Sequence, residues 1–260
     1  DELLVSSTHS RVESYDDYLY MTYHLPVYDP AKKTSRRAEV DFLITRDAVI
    51  TVHYEALEPL EALEGVLNAG EEFSRRALGK NTSVLAYHII QSLVSFSLRQ
   101  LRHIENNIQF ISNDIFRGKE RHLLERISYI KRDVLDYHII SRPQKILLES
   151  LRRAGEKYWG KESEIYLNDL AGDNEKIQFR IENYLEIIES LEETNAQLLN
   201  AKMNRSMQTF TTLAFFTFPL VLYTSVFSIS QRTPDFWLGF AIVAAVTVII
   251  PLVLLRGGKL

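Results

Sequence analysis

The chain has 260 residues, a formal net charge of -4 and no cysteine. The missing cysteines exclude disulfide frameworks, thiolate metal sites and cysteine nucleophiles. The length allows one or two domains, and the first residue, Asp1, leads us to expect a chain trimmed at its start.

The first 80 residues favour a small α/β domain. Residues 18–29, YLYMTYHLPVYD, have the aromatic and β-branched character of a strand that stops at Asp29-Pro30. The segments VDFLIT and AVITVHY on either side of Arg46-Asp47 predict a hairpin. One helix is predicted before Gly70 from the leucines at positions 60, 63 and 67.

Two long helices are predicted next. Apolar residues recur every three to five positions from Leu85 to Ile115, and a second series runs from Leu123 to Ile139. We expect the two helices to be antiparallel, with Pro143 bending or interrupting the second.

A third, much longer helix follows. No proline or glycine lies between Gly172 and Pro219, and apolar residues from Ile177 to Leu198 follow a spacing of three and four. One helix over residues 174–227 would extend about 80 Å if unbroken. We expect it to run from the cytoplasm into a membrane.

Charge is divided along these helices. Ten acidic and two basic residues occupy positions 162–198, whereas ten basic and five acidic residues occupy positions 117–153. Pairing between the two helices explains this division, and an acidic surface that concentrates cations is a compatible second interpretation. Binding of the basic segment to lipid headgroups is also considered, and no nucleic-acid partner is expected.

Two uncharged segments, residues 206–231 and 236–255, are each long enough to cross about 30 Å of hydrocarbon as a helix. Buried core helices are the alternative. Lys202 and Arg205 precede the first segment, and Arg256 and Lys259 follow the second. The excess of positive charge places both termini in the cytoplasm and the short loop outside.

One side of the first segment combines polar and apolar residues at helical spacing. Its positions are Asn204, Met207, Thr211, Ala214, Phe218 and Ser225. In a symmetric ring of copies they would form alternating wet and hydrophobic rings around an axis. A helix-packing face with small residues fits the same spacing.

The order of these parts resembles the CorA family of metal ion transporters. The stretch MNRSMQTFTTLAFFTFPLVLYTSVFSIS is similar to that family's pore helix, including Asn204, Met207 and the Pro-Leu pair at 219 and 220. The resemblance covers most of the chain, with a shortened N-terminal sheet. It implies a homopentamer whose first span lines the pore, and it implies that Asp169 binds a regulatory metal between subunits. A solvated acid or a helix cap is the alternative for Asp169.

The outer end of the predicted pore helix departs from the family pattern. Gly-Met-Asn marks that position in the family, and alignment through Pro219 places Ser228, Ile229 and Ser230 there. The serines form either a relaxed entry filter for hydrated cations or a helix cap bonded to its own backbone.

The sequence therefore predicts an α+β cytoplasmic region dominated by long helices, a two-helix transmembrane hairpin, and a CorA-like funnel with one very long helix continuing into the membrane. The predicted segments are 1–80 (α/β domain), 81–205 (helical region), 206–230 (pore helix), 231–235 (outer loop), 236–255 (second span) and 256–260 (tail).

The predicted function is passage of divalent cations across the inner membrane. Mg²⁺ is expected as the cargo, with Co²⁺, Ni²⁺ or Zn²⁺ as relatives in the transported or regulatory role. The expected partners are further copies of the chain and membrane lipids. No enzyme motif is present, and no cofactor is expected. A non-conducting membrane-anchored sensor or scaffold is the alternative.

Overall fold

A computed structural model describes residues 7, 9–70, 74, 81–117, 120–229 and 236–256. Its contacts divide the chain into two compact units, Asp1–Asn195 and Ala196–Leu260.

The first unit begins with a four-stranded antiparallel sheet. The strands are β1 (Arg11–Ser14), β2 (Leu19–Asp29), β3 (Thr34–Ile44) and β4 (Val49–His53), in the order β1-β2-β3-β4. The predicted hairpin is confirmed, since Ile44 pairs with Val49 and the turn lies between them. The short β1 was not predicted, because its four residues, RVES, carry no apolar alternation.

One face of the sheet forms the core of the first unit. Alternate residues of a strand point to the same face, and the side chains of Leu19, Met21, Tyr23 and Leu25 are fully buried. Val40 and the next two alternate residues of β3 are buried with them. This apolar face packs on two long helices, Thr82–Asp114 and Glu120–Trp159.

The opposite face of the sheet carries buried polar groups. The Thr22 hydroxyl donates to Asp41 Oδ1 at 2.7 Å, and Tyr20 donates to the same oxygen at 3.0 Å. His24 Nε2 lies 3.1 Å from Glu39 Oε2 in the neighbouring cross-strand pair. Asp41 Oδ2 is buried and has no partner among the described residues.

Five helices are described. They are α1 (Glu58–Ala69), α2 (Thr82–Asp114), α3 (Glu120–Trp159), α4 (Glu164–Ile229) and α5 (Phe236–Arg256). The side chain of Asn81 caps α2 by accepting from Ser83 N at 3.0 Å. Gly160, with a positive φ of 91°, ends α3 before a short 3₁₀ turn, Lys161–Ser163. A residue with a Cβ is strained at this angle.

Helices α2 and α3 are antiparallel, as predicted. Tyr137 donates to the Ser97 carbonyl at 2.7 Å, His103 Nε2 lies 2.5 Å from Asp133 Oδ2, and Arg126 donates to Asn107 at 3.3 Å. Helix α3 runs through Pro143 without interruption. The carbonyl that Pro143 leaves without a donor belongs to Ile139, which is 63% exposed, so water can bond it.

Helix α4 has 66 residues and begins ten residues before the predicted start. Within the first unit its buried positions follow a spacing of three and four, and they include Leu170, Ile177, Ile181 and Ile188. Asn174 interrupts this apolar stripe. Its amide is fully buried, and neither its nitrogen nor its oxygen has a partner among the described residues.

Candidate functional site

The second unit contains an exposed apolar stretch of α4. Most of its large side chains are exposed, including Phe210 at 71% and Phe218 at 67%. The most apolar 18-residue stretch of the helix has a mean hydropathy of 1.4, and none of its residues is buried. A core helix of a soluble protein would be mostly buried, so this segment is a candidate membrane span. Among the described residues, Phe236–Ile249 forms a second, shorter apolar stretch.

Helix α5 covers one side of this stretch. Phe216, Leu220 and Tyr223 are partly buried, whereas most of their neighbours on α4 are exposed. The Tyr223 hydroxyl donates to the Phe236 carbonyl at 3.0 Å, and its ring lies 6.3 Å from that of Phe240. The covered side of α4 is therefore the side that carries Tyr223.

The predicted pore-lining residues lie on the other side of α4. At about 100° per residue, they are centred roughly 170° around the helix from the side that α5 covers. All of them are exposed: Asn204, Met207, Thr211, Ala214, Phe218 and Ser225. Among the described residues of the second unit, nothing covers this side of the helix, and it is open to a lipid or to another copy of the chain.

Pro219 in α4 and Pro251 in α5 each leave one backbone carbonyl without its helical donor. The nearby threonines, Thr217 and Thr247, do not bond these carbonyls. Thr217 donates to the Leu213 carbonyl at 3.0 Å, and Thr247 donates to the Val243 carbonyl at 2.7 Å. Pro219 instead frees the carbonyl of Phe215, four residues before it. The hydroxyls therefore bond carbonyls of the preceding turn.

The predicted outer filter lies at the end of α4. Ser228 is exposed in the last turn, and α4 ends at Ile229. Ser230 lies outside the described residues. The assignment of these three positions to an ion filter stays a prediction.

Asp169, the predicted regulatory ligand, lies near the start of α4 and is exposed. Its Oδ2 accepts a hydrogen bond from the Tyr87 hydroxyl at 2.6 Å. One turn later, Gln91 of α2 donates to Asp173 Oδ2 at 2.7 Å. These two bonds tie α2 to α4 within the first unit. Sequence reasoning missed Tyr87 and Gln91, because a partner 82 residues away leaves no local motif.

The two contacts between α2 and α4 shift the pKa values of Asp173 and Tyr87. Partial burial alone would raise the pKa of Asp173, but hydrogen bonds from Lys176 and Gln91 hold it below the ordinary value. Burial, followed by the hydrogen bond to Asp169, raises the pKa of Tyr87. Tyr87 is therefore a neutral hydrogen-bond donor to Asp169.

Within the described residues, no group of three or more histidines or acids is arranged to hold a metal. Mg²⁺ takes six oxygen ligands and keeps several waters, and it is commonly bound through one or two carboxylates. The binding of a regulatory ion by Asp169 stays a prediction.

Among the described residues, two ion pairs show the predicted pairing between the acidic and basic helices. Lys131 Nζ lies 2.6 Å from Glu192 Oε2, and Lys145 Nζ lies 4.0 Å from Glu175 Oε1. Both join α3 to α4, and the partners are partly exposed, so each pair adds little stability. Glu182, Glu186 and Glu189 are exposed on α4, so the second interpretation, attraction of cations, is compatible with the fold.

The fold and the exposed apolar helix define the class of the molecule: a sheet packed on long helices, one of which is a candidate membrane span. The chain belongs to the CorA-like Mg²⁺ transporter protein family, whose pattern matches residues 1–256.

Two curated relatives support this assignment. The cobalt/magnesium transport protein CorA of Methanocaldococcus jannaschii is 21% identical over 95% of this chain and 79% of its own length. The protein of the same name from Thermotoga maritima is 19% identical over 98% of this chain and 72% of its own length.

Solved structures share the fold. The complete structure of the CorA magnesium transporter from M. jannaschii superposes with a TM-score of 0.78 at 19% identity, over 93% of this chain and 78% of that chain. The full-length CmaX protein gives a TM-score of 0.69 at 18% identity, over 98% of this chain and 79% of that chain. The predicted CorA-like fold is thus confirmed, including its long helix.

Proposed function

We propose that this protein passes divalent cations, Mg²⁺ or a relative, through a central path in a homopentamer. Five copies of α4 would surround the path, with the side that carries Met207 facing the axis. In this arrangement α5 lies outside α4 and faces lipid. The protein would lie in the inner membrane with both termini in the cytoplasm.

The observation that carries the proposal is the position of the exposed polar and apolar side of α4. This side lies away from α5, so another copy can cover it without displacing the contact between Tyr223 and Phe236. Two helices in contact enclose no water, so a single copy cannot form the path. A ring of identical subunits presents the same helix side to its axis.

Residues on this side of α4 can both contact a passing hydrated ion and close the pore. Asn204 and Thr211 offer polar groups to a hydrated ion, whereas Met207, Ala214 and Phe218 form apolar positions between and beyond them. Narrow apolar rings in a pore can close it by excluding water. Gating by the apolar rings is therefore part of the proposal.

The outer end is proposed to have altered selectivity. Mg²⁺ gives up its water shell reluctantly, so an entry filter must hold the hydrated ion. Serine hydroxyls at positions 228 and 230 can bond those waters, but serine is shorter than the asparagine of the family signature. The resulting ring would be wider and would bind the hydrated ion more weakly.

Ion flux into proteoliposomes tests the proposal. The full chain is reconstituted, and uptake of Mg²⁺, Co²⁺, Ni²⁺ and Zn²⁺ is measured alongside empty vesicles. We expect uptake of at least one of these ions down its gradient. Intact oligomers that pass none of the four would favour the alternative, a non-conducting membrane-anchored sensor or scaffold.

The filter is tested separately with Ser230→Asn, which restores the family's amide at that position. If the serines form the filter, the order of preference among the four metals changes. An unchanged order would support the interpretation that the serines cap the helix end. The control is Thr233→Asn, a neighbouring substitution outside the predicted filter.

A further inference from the structure

A cavity of about 470 Å³ lies in the first unit, at the turn between β2 and β3. It is separate from the predicted pore residues and from Asp169. Its walls come from the turn, from α2 and from the first half of α3, and they include Tyr28, Lys33, Asn107, Arg126 and Tyr129. Pockets for small ligands typically have volumes of about 300–1,000 Å³.

Two cations of the cavity are held by aromatic rings. The Arg126 guanidinium lies 3.7 Å from the ring centre of Phe110 and donates to Asn107 Oδ1 at 3.3 Å. Lys33 Nζ lies 5.9 Å from the ring centre of Tyr129. A ring orients a cation without neutralising it, so both groups keep their charge for an anionic ligand.

The turn fixes the position of Lys33. Asp29 Oδ1 accepts from the backbone nitrogens of Ala31 and Lys32 at 2.9 and 3.3 Å. Lys33 follows with a positive φ of 53°, which is uncommon for a residue other than glycine. The lysine therefore begins from a backbone that the turn holds in place.

The acids of the cavity do not cancel this charge. Asp133 is buried and directed into the protein, where one oxygen accepts from Ser35 N at 2.6 Å and the other lies 2.5 Å from His103 Nε2. Glu125 is exposed and is the other acid among the described lining residues. A carboxylate in such a position can accept hydrogen bonds from ribose hydroxyls, as acids do in dinucleotide sites.

Aromatic surface completes the cavity. The Tyr129 side chain is 48% exposed, and the Tyr28 ring lies 3.9 Å from that of His103, which holds it in place. Exposed aromatic faces bind nucleobases by stacking, with little dependence on base identity. Cationic, acidic and aromatic groups thus converge on one cavity of suitable size.

We propose that this cavity binds a nucleoside monophosphate. Lys33 and Arg126 bind the phosphate, Glu125 accepts from the ribose, and the base stacks on Tyr129. The proposal does not depend on ion transport, and binding in the first unit is measured without any flux.

Calorimetric titration of the full chain in detergent tests this inference with AMP and UMP as probes, alongside inorganic phosphate and adenosine. We expect one saturable nucleotide site per chain and weaker binding of either fragment. Lys33→Asn, which tolerates the positive φ, and Arg126→Gln should each weaken nucleotide binding by about tenfold or more. The matched control is Arg46→Gln, because Arg46 lies 5.7 Å over Tyr158 outside the cavity.

Tyr129→Ala is a second test of the site if Lys33→Asn or Arg126→Gln fails to fold. The Tyr129 side chain is exposed and is not part of the core, so this variant should fold. It removes the stacking surface and also the ring beneath Lys33, so it should weaken binding of AMP and UMP more strongly than binding of inorganic phosphate. The inference is overturned if neither nucleotide binds the parent chain. It is equally overturned if Lys33→Asn, Arg126→Gln and Tyr129→Ala all bind nucleotides as the parent chain does.

Discussion

The Tyr223 side chain occupies the space that a side chain at position 239 would need. A Cβ on Gly239 would lie 2.9 Å from Tyr223 Cζ and closer still to the hydroxyl oxygen. The same hydroxyl donates to the Phe236 carbonyl. Glycine at position 239 therefore lets α4 and α5 approach closely at the point where Tyr223 joins them.

Gly239→Ala should separate α4 from α5 at this contact. We expect a loss of about 1–3 kcal/mol, the usual cost of forcing extra volume into a packed site, measured as a lower melting temperature in detergent. Gly65→Ala is the control, because nothing lies within 4 Å of a Cβ at that helical position. Adding Tyr223→Phe to Gly239→Ala should recover part of the loss, and no recovery would place the strain elsewhere.

Cysteine accessibility distinguishes the proposed pore side of α4 from its other sides. The parent chain has no cysteine, so a single introduced thiol gives the entire signal. A thiol reacts as the thiolate, and a thiolate forms readily only where water is present. Met207→Cys, Thr211→Cys and Ala214→Cys lie on the proposed water-filled side, so each should react with a charged thiol reagent in membranes. Leu213→Cys and Leu220→Cys should react slowly. Equal rates at all five positions would rule out a hydrated path along this side.

Asp169→Asn tests the predicted regulatory metal. A ligand that binds the folded state stabilises it, so Mg²⁺ should raise the melting temperature of the parent oligomer. The variant should lose most of that increase, whereas Glu186→Gln, at an exposed acid of the same helix, should keep it. Tyr87→Phe should also keep the response, because the carboxylate remains. A full response in Asp169→Asn would leave Asp169 as a solvated acid.

The stability of the first unit should depend on Asp41. Burial raises the pKa of this carboxyl, against the opposing effect of hydrogen bonds from Thr22 and Tyr20. Because the folded state holds the proton more tightly, stability falls as pH rises through the interval between the unfolded and folded pKa values. Asp41→Asn should therefore raise the melting temperature more at pH 7 than at pH 4. An equal change at both pH values would contradict this, and exposed Asp47→Asn serves as the control.

Much of the fold could be predicted because its signals are local. The β3–β4 hairpin was predicted from its turn and flanking apolar residues, and α2 and α3 from their spacing. The start of α4 could not be predicted, because Gly172 suggested a break. In the structure Gly172 lies within α4, because a single glycine costs a helix only about 1 kcal/mol and the buried stripe on either side of it offsets that cost.

The candidate sites were less predictable, since they depend on distant residues. Tyr87 contacts Asp169 across 82 positions, and Ser35 contacts Asp133 across 98. No spacing rule joins such residues. The residues predicted to line a pore had the opposite difficulty: helical periodicity placed them on one side of α4, but only the structure shows that α5 covers a different side of the helix.

The buried amide of Asn174 affects how firmly α4 is held in the first unit. A buried polar group without a partner costs about 1–3 kcal/mol relative to a hydrated one. Local opening that admits water to this amide removes that cost, so opening should require less free energy there than around Ile181. Backbone deuterium uptake should accordingly begin near Asn174, and this part of the long helix should yield first under mechanical load.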